Sequence, residues 1–151
     1  MQIRIFKKGD EEAVRNLISS ILNGEFHMER KAYAETDLEK IQEIYSGSRN
    51  VFFVGEVNRH IVATVAVKED DKNTALLRRL FVDPAYRGKQ YGSLLLDEVL
   101  RFCRKKGYKK VVFRGAAGMK AAASLAQKKG FSEVERFHFG EVEMVHYALA
   151  L

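Results

Sequence analysis

The chain has 151 residues, of which 46% are hydrophobic and 30% charged, a composition typical of a globular domain. Its single proline and ten phenylalanines argue against intrinsic disorder, and no uncharged apolar run approaches the roughly 18 residues of a membrane helix. The single cysteine excludes an internal disulfide, and the net charge of +6 favours an anionic partner. From the length and the composition we expect one domain over residues 1–151 without a membrane segment.

The first fifty residues predict a short strand followed by two helices. Ile3 and Ile5 alternate with polar residues as in a strand, and Asp10 stands where an N-cap side chain accepts from helix amides. Apolar residues then recur at helical spacing until the chain reaches Gly24. The segment Thr36–Glu39 has the form of a capping box and predicts the start of a second helix.

The middle of the chain predicts strands, because β-branched and aromatic residues dominate it. Val51–Val57 and His60–Val67 form an expected hairpin, and Ala75–Val82 is a third strand that ends at the turn-forming pair Asp83-Pro84. The polar stretch Lys68–Asn73 is expected to separate the hairpin from the third strand.

The remaining third alternates between helix and strand. Helical spacing predicts helices over about Gly92–Lys106 and Met119–Lys129, and strands are expected at Lys110–Phe113, Phe131–Val134 and Glu143–Leu149. The element order predicts an α+β fold, with a mixed central sheet of about six to seven strands and about four helices.

The clearest functional signal lies in Leu80–Leu96, where a predicted strand leads through a basic, glycine-containing loop into a predicted helix. The first N–H groups of a helix have no carbonyl partners and lie at the positive end of its dipole, so they bind phosphate oxygens. Gly88 and Gly92 allow close approach to the main chain, and Arg87 and Lys89 add positive charge. The glycine motifs of nucleotide hydrolases and dinucleotide-binding proteins are both missing, and we interpret the loop as a pyrophosphate site.

This segment resembles the cofactor loop of the GNAT superfamily of N-acetyltransferases. That loop reads Arg or Gln, two variable residues, Gly, one variable residue, and Gly or Ala. Residues 87–92 match it at Arg87 and Gly92, whereas Gln90 stands at the family's inner glycine. The approach Leu80–Lys89 is also similar, and the likeness continues through Lys129-Gly130-Phe131, so that it covers nearly all of the chain.

The resemblance implies a GNAT fold that binds acetyl-CoA as acyl donor, with the pantetheine arm between two splayed strands. It implies that strand main chain holds the arm, that loop amides hold the diphosphate, and that the second late helix lies on the other side of the cofactor. The expected cofactor-binding residues are Phe81, Val82, Arg87, Gly88, Lys89, Gln90, Tyr91, Gly92, Ser93, Met119, Ala122 and Ser124. The implied reaction is direct acetyl transfer to an amine.

Two catalytic groups that are common in the family are missing from this sequence. Leu76 stands where many members carry a glutamate base, and Ala126 replaces the tyrosine that often protonates the leaving thiolate. A backbone N–H near the strand splay can still stabilise the developing oxyanion. Glu25 and Tyr147 are the candidate ionisable groups for the chemistry.

The remaining polar residues point to no metal centre. The four histidines, His27, His60, His138 and His146, are not spaced as metal ligands, and Cys103 lies in an apolar helical stretch where packing explains it.

Three functions remain open from the sequence: an N-acetyltransferase, a CoA-binding module without catalysis, and, least favoured, a nucleic-acid binder based on the late basic residues. The expected acceptor is an amine on a small molecule, peptide or protein. The first ten residues lack the apolar core of a secretion signal, so we expect a cytoplasmic protein. The expected oligomeric state is a monomer or a homodimer.

Overall fold

The computed structural model describes residues 1–27, 29 and 36–151. Its strands are Gln2–Ile5 (β1), Val51–Val57 (β2), His60–Asp71 (β3), Thr74–Val82 (β4), Lys110–Ala116 (β5), Ser132–Phe139 (β6) and Val142–Ala150 (β7). Its α-helices are Glu11–Gly24 (α1), Ile41–Ile44 (α2), Tyr91–Lys105 (α3) and Lys120–Lys128 (α4). The strands form one sheet in the order β1-β2-β3-β4-β5-β7-β6, which confirms the predicted α+β class and mixed sheet. In the described part of the chain, no helix is both long and apolar enough to cross a lipid bilayer.

The centre of the sheet contains its parallel strand pair, β4 and β5, and the other neighbouring strands run antiparallel. Pairing between β4 and β5 ends at Leu77 and Phe113, although β4 continues to Val82 and β5 to Ala116. The two strands therefore separate toward their carboxyl ends, and a cleft opens between them.

Apolar side chains form a core on each face of the sheet. On one face, Leu95, Leu96 and Val99 of α3 pack on the central strands. On the other face, Val14 and Ile18 of α1 pack on Phe52 and Phe81, among others. The helical spacing of these residues buries one side of each helix, as the sequence predicts.

Several strands are longer than the sequence predicts. The polar stretch Lys68–Asn73 does not separate two strands, because β3 continues to Asp71 and pairs with β4 through a turn that places Asp71 opposite Thr74. All eight side chains of β6 are exposed. Because neither face of the strand is buried, no alternation of buried and exposed residues indicates its full length. Its bounds come from pairing with β7.

The helix starts also differ from the predictions. The Asp10 carboxylate does not cap α1; it accepts from the Arg4 guanidinium at 2.8 Å and from the Lys7 N–H at 2.9 Å. The predicted second helix is divided into a 3₁₀ turn, Thr36–Glu39, and the single-turn α2. The Thr36 side chain, and with it the predicted capping box, lies outside the described part of the structure.

Candidate functional site

The loop from β4 to α3 is built by local turn chemistry. Asp83 accepts a hydrogen bond from the Ala85 N–H at 2.9 Å, and a 3₁₀ turn over Pro84–Tyr86 follows. Gly88 then adopts a φ of +77° and Gln90 a φ of +63°. Glycine occupies this left-handed region freely, whereas glutamine does so at a cost of about 1 kcal/mol, so the fold imposes on Gln90 a backbone for which the cofactor loop that it resembles carries glycine.

The amino end of α3 presents unpaired main-chain donors. The first intrahelical bond runs from the Leu94 N–H to the Gln90 carbonyl at 3.1 Å, and the Gln90 side chain does not cap the helix. The N–H groups of Tyr91, Gly92 and Ser93 therefore have no helical partner, and no described residue accepts from them. Because the helix dipole adds partial positive charge at this end, the site favours a phosphate oxygen.

Arg87 links this loop to the rest of the cleft. Its Nε donates to the Val82 carbonyl at 3.1 Å, and its Nη1 donates to a Glu25 carboxylate oxygen at 2.6 Å. The two side chains are 39% and 34% exposed, so solvent reaches the pair. Arg87 therefore lies where an anionic ligand would compete with Glu25 for its guanidinium.

A cleft beside the carboxyl end of β4 has a volume of about 700 Å³ and opens onto this loop. The end of α1, the end of β4, the loop and one face of α4 supply its walls. The lining residues are Ile21, Glu25, Phe26, Leu80, Phe81, Val82, Tyr86, Arg87, Gly88, Gln90, Tyr91, Gly92, Ser93, Met119, Ala121, Ala122, Leu125, Lys128 and Lys129.

The structure brings ten of the twelve expected cofactor residues to this cleft; Lys89 and Ser124 are not among the lining residues. The Lys89 ammonium lies 6.0 Å from the centre of the Tyr86 ring. Sequence reasoning missed the α4 residues Ala121 and Leu125, although their spacing of four places them on one helix face. Met119 and Ala122 lie on the same wall of the cleft.

The end of β4 turns different main-chain groups toward β3 and toward the cleft. The Asp83 N–H donates to the Val62 carbonyl of β3 at 2.8 Å, and Phe81 pairs with Thr64 of the same strand. Because backbone groups alternate in direction along a strand, the N–H of Val82 points away from β3, toward the cleft. Val82 therefore offers the cleft a main-chain donor close to its lining side chains.

A β-bulge at Arg79 precedes this end of β4. Arg79 has a φ of +57°, and β4 has one residue more than β3 between the pairs Thr64–Phe81 and Ala66–Arg78. The Thr64 hydroxyl donates to the Arg79 carbonyl at 2.7 Å. Bulges of this kind bend a strand, and here the bend lies just after pairing with β5 has ended.

The side chain of Arg79 holds Asp37 through a two-point ion pair, with Nε 3.0 Å from one carboxylate oxygen and Nη2 donating to the other. The Tyr45 hydroxyl donates to the same carboxylate at 2.7 Å. Burial raises the pKa of Asp37, but the hydrogen bonds and charge of Arg79 outweigh it, so the pKa lies below its ordinary value. The carboxylate thus stays ionised and anchors the 3₁₀ turn to the bulge.

The candidate catalytic residues lie in different environments. Glu25 lines the cleft, paired with Arg87. Tyr147 is buried in the core on the α3 face, where its ring stacks on Phe113 at 5.7 Å, and it is not among the lining residues. Burial raises the pKa of its hydroxyl. Ala126 is buried against the same core, and the described residues contain no cluster of three or more His, Cys, Asp or Glu side chains arranged to hold a metal ion.

Comparison with known proteins points to one family. The model of the Acetyltransferase (GNAT) family matches residues 13–131. A probable N-acetyltransferase, camello, from Xenopus tropicalis is 30% identical over 115 residues, which are 74% of this chain and 52% of that protein. An N-acetylaspartate synthetase from Danio rerio is 33% identical over 101 residues, 66% of this chain and 36% of that protein. The chain thus spans about half, or less, of the length of these curated relatives.

Solved structures share the whole fold. An acetyltransferase of the GNAT family from Staphylococcus aureus Mu50 superposes with a TM-score of 0.88 at 26% identity, covering 99% of this chain and 98% of that one. An acetyltransferase from Streptococcus agalactiae 2603 gives a TM-score of 0.89 at 21% identity over the same shares of the two chains, a likeness of fold alone.

Proposed function

Because the chain belongs to the GNAT family of acetyltransferases, we propose that it transfers an acetyl group from acetyl-CoA directly to an amine. The observation that carries the proposal is the set of unpaired N–H groups of residues 91–93, beside Arg87, at the mouth of the cleft. These donors suit the diphosphate of CoA, and the cleft between β4 and β5 suits its pantetheine arm. The names of the curated relatives, N-acetyltransferase and N-acetylaspartate synthetase, support nitrogen as the acceptor atom.

In the proposed reaction the neutral amine attacks the carbonyl carbon of the thioester. A C–N bond forms, the C–S bond breaks, and CoA leaves as a thiolate. The proton lost by the amine reaches the thiolate through water, which gives an amide and free CoA. Since the thiol of CoA resembles a cysteine thiol with a pKa around 8.5, it leaves without a dedicated acid, and positioning by the cleft supplies much of the rate.

Different residues of the chain are proposed to stabilise the oxyanion and to accept the proton. We propose that the Val82 N–H stabilises the oxyanion, because it points toward the cleft. We propose the remaining cofactor contacts at Phe81 of β4, along residues 87–93, and at Met119, Ala122 and Ser124. Glu25 carries the one carboxylate among the described residues that line the cleft, and we propose it as the proton acceptor, acting through water. Tyr147, the second sequence candidate, stays a prediction for the same reaction.

The test measures binding and turnover separately. Acetyl-CoA is titrated into the protein by calorimetry, and release of free thiol is then followed with a panel of amines. We expect the double variant Arg87→Ala, Lys89→Ala to bind acetyl-CoA about tenfold or more weakly, because charge-assisted hydrogen bonds are lost. The matched control, Arg104→Ala, Lys105→Ala, removes the same charge at the far end of α3 and should bind within twofold of wild type.

The outcomes separate the proposed functions. Acceptor-dependent thiol release supports the acetyltransferase. Binding of acetyl-CoA without turnover on any amine contradicts it and favours the CoA-binding module without catalysis. Absence of binding contradicts both. The single-domain organisation over residues 1–151, the cytoplasmic location and the oligomeric state stay predictions from the sequence.

A further inference from the structure

Two arginines lie at the point where β4 and β5 separate. Arg78 and Arg114 are the first residues beyond the last pair of these strands, Leu77 and Phe113. Leu77 and Phe113 both pack into the core on the α3 face. Because side chains alternate along a strand, Arg78 and Arg114 project from the opposite face, and their backbones begin about 5 Å apart.

The neighbouring residues that the structure describes neutralise only part of the positive charge of Arg78 and Arg114. Arg114 is exposed and forms no ion pair or hydrogen bond with any side chain of residues 1–27, 29 or 36–151. The Arg78 guanidinium approaches Asp37 only to 3.8 Å. Asp37 is already engaged by Arg79 and Tyr45. Asp37 therefore has two arginine neighbours, and Arg114 on the adjoining strand adds a third guanidinium group.

The neighbouring strand adds no compensating carboxylate at short range. His146 of β7 lies opposite Arg114, and its Nδ1 is 3.7 Å from Glu135 of β6. Glu135 is 65% exposed and pairs in register with His146, on the side of β7 away from β5. Among the described residues, the cationic groups thus form a small patch on this face of the sheet.

This patch adjoins the proposed reaction centre. Leu80 and Val82, which line the cleft, follow Arg78 by two and four residues on the same strand. Ala116, two residues after Arg114, packs with Phe81 in the core on the α1 face. Four residues of strand, from Arg78 to Val82, span about 13 Å, and less across the bulge at Arg79, a distance that an arginine side chain and a small acceptor bridge together. The patch lies on the face from which the acceptor amine would reach the thioester if α3 and α4 hold the nucleotide.

Resting on the proposed acetyl transfer, we propose that the acceptor is a free amino acid whose α-carboxylate is bound between Arg78 and Arg114. A guanidinium group binds a carboxylate through two parallel hydrogen bonds. Two guanidinium groups at one place therefore select strongly for an anionic group. A cationic amine without a carboxylate would meet unscreened like charge in the same place. The patch therefore acts as a specificity site for the acceptor.

The same charges assist the chemistry. A nearby positive charge disfavours an ammonium and lowers the pKa of an amine, so a larger fraction of the bound acceptor is neutral and able to attack. This effect partly replaces the glutamate base that Leu76 does not supply. The carboxylate contact provides the binding energy that brings the amine to a cationic site.

The test uses pairs of acceptors that differ only in the carboxylate: leucine with isoamylamine, phenylalanine with phenethylamine, and lysine with cadaverine. Acetyl-CoA is held at saturation, and kcat and KM for each acceptor are obtained from thiol release. We expect kcat/KM to be at least about tenfold higher for the carboxylated member of a pair, the loss typical of a charge-assisted hydrogen bond. A dipeptide amide that begins with the same residue should resemble the amine.

Variants assign the effect to the two arginines. Arg114→Gln and Arg78→Gln should each raise KM for the amino acid about 10- to 100-fold, reduce the preference within each pair, and change KM for acetyl-CoA less than twofold. Arg104→Gln, an exposed arginine at the far end of α3, is the matched control and should change none of these values. Circular dichroism establishes that each variant is folded.

The outcomes distinguish this inference from the function on which it rests. A protein that binds acetyl-CoA but acetylates the decarboxylated amines equally well, or acetylates peptide termini and no free amino acid, overturns the inference alone. Turnover without response to either arginine substitution does the same. A protein that acetylates none of these acceptors and, loaded with CoA, binds none of the amino acids in calorimetry also overturns it. Failure to bind acetyl-CoA at all overturns the proposed function and this inference together.

Discussion

The ion pair between Glu25 and Arg87 gives a prediction whose sign follows from the structure. If Arg87 contacts the diphosphate, it must give up part of its contact with Glu25, whose carboxylate lies at 2.6 Å. Glu25→Gln removes this competitor and also removes a negative charge that faces the phosphates. We therefore expect the variant to bind CoA more tightly than wild type, although it has lost an ion pair.

The exposure of the pair sets the size of the effect. With the Arg87 and Glu25 side chains 39% and 34% exposed, the pair belongs to the class that contributes about 0.2–1 kcal/mol. Removing it should lower the dissociation constant of CoA by about 1.5- to 5-fold, and the gain should shrink in high salt because screening weakens exposed charges.

Calorimetry at low and high salt measures this change, with Glu12→Gln as a control that makes the same chemical change at an exposed position near the start of α1. Weaker binding by Glu25→Gln, or an equal gain from the control, would refute the reasoning. Turnover reports separately on the proton acceptor: a general base typically contributes at least 100-fold, so an unchanged kcat at saturating acetyl-CoA would remove Glu25 from the chemistry.

Three further predictions concern stability and reactivity. Gln90→Gly relieves a left-handed backbone and should stabilise the fold by about 0.5–1 kcal/mol, seen as a melting temperature higher by a few degrees, whereas Lys89→Gly, at a residue without positive φ, should give no gain. Asp37→Asn removes the charge that pairs with the buried Arg79 guanidinium and should destabilise by about 3–5 kcal/mol in urea unfolding. Because the pKa of Asp37 is lowered in the folded state, its contribution is complete above the ordinary aspartate pKa of about 3.9 and is lost as the pH falls through the folded value; a variant with the same acid dependence as wild type would contradict this. Burial raises the pKa of the Cys103 thiol to about 12, so iodoacetamide should label it only in denaturant, and rapid labelling of the native protein would contradict the packing interpretation.

The loop and the fold class are predictable because their signals are local. The basic glycine loop, the turn at Asp83 and the apolar stripe of α3 each lie within one short segment, where residue type and spacing determine the conformation. The left-handed backbone at Gln90 follows from the family's glycine at that position and not from glutamine itself.

The remaining features depend on contacts between distant segments. Glu25 and Arg87 are 62 positions apart, and Asp37 and Arg79 are 42 apart, so no spacing rule relates them. The position of the bulge at Arg79 could not be predicted, because no glycine stands there. An ion pair and a hydrogen bond from the Thr64 hydroxyl hold the strained backbone instead. β6 also escapes prediction in its full length, since pairing with β7 and not a buried face determines its extent.

A crystal structure of the protein with CoA bound provides the decisive test of the proposed cofactor site. We expect diphosphate oxygens about 3 Å from the main-chain nitrogens at the start of α3, with the Arg87 guanidinium turned from Glu25 toward them and the pantetheine arm between β4 and β5. A nucleotide bound elsewhere, with the amides of residues 91–93 facing only solvent, would contradict it.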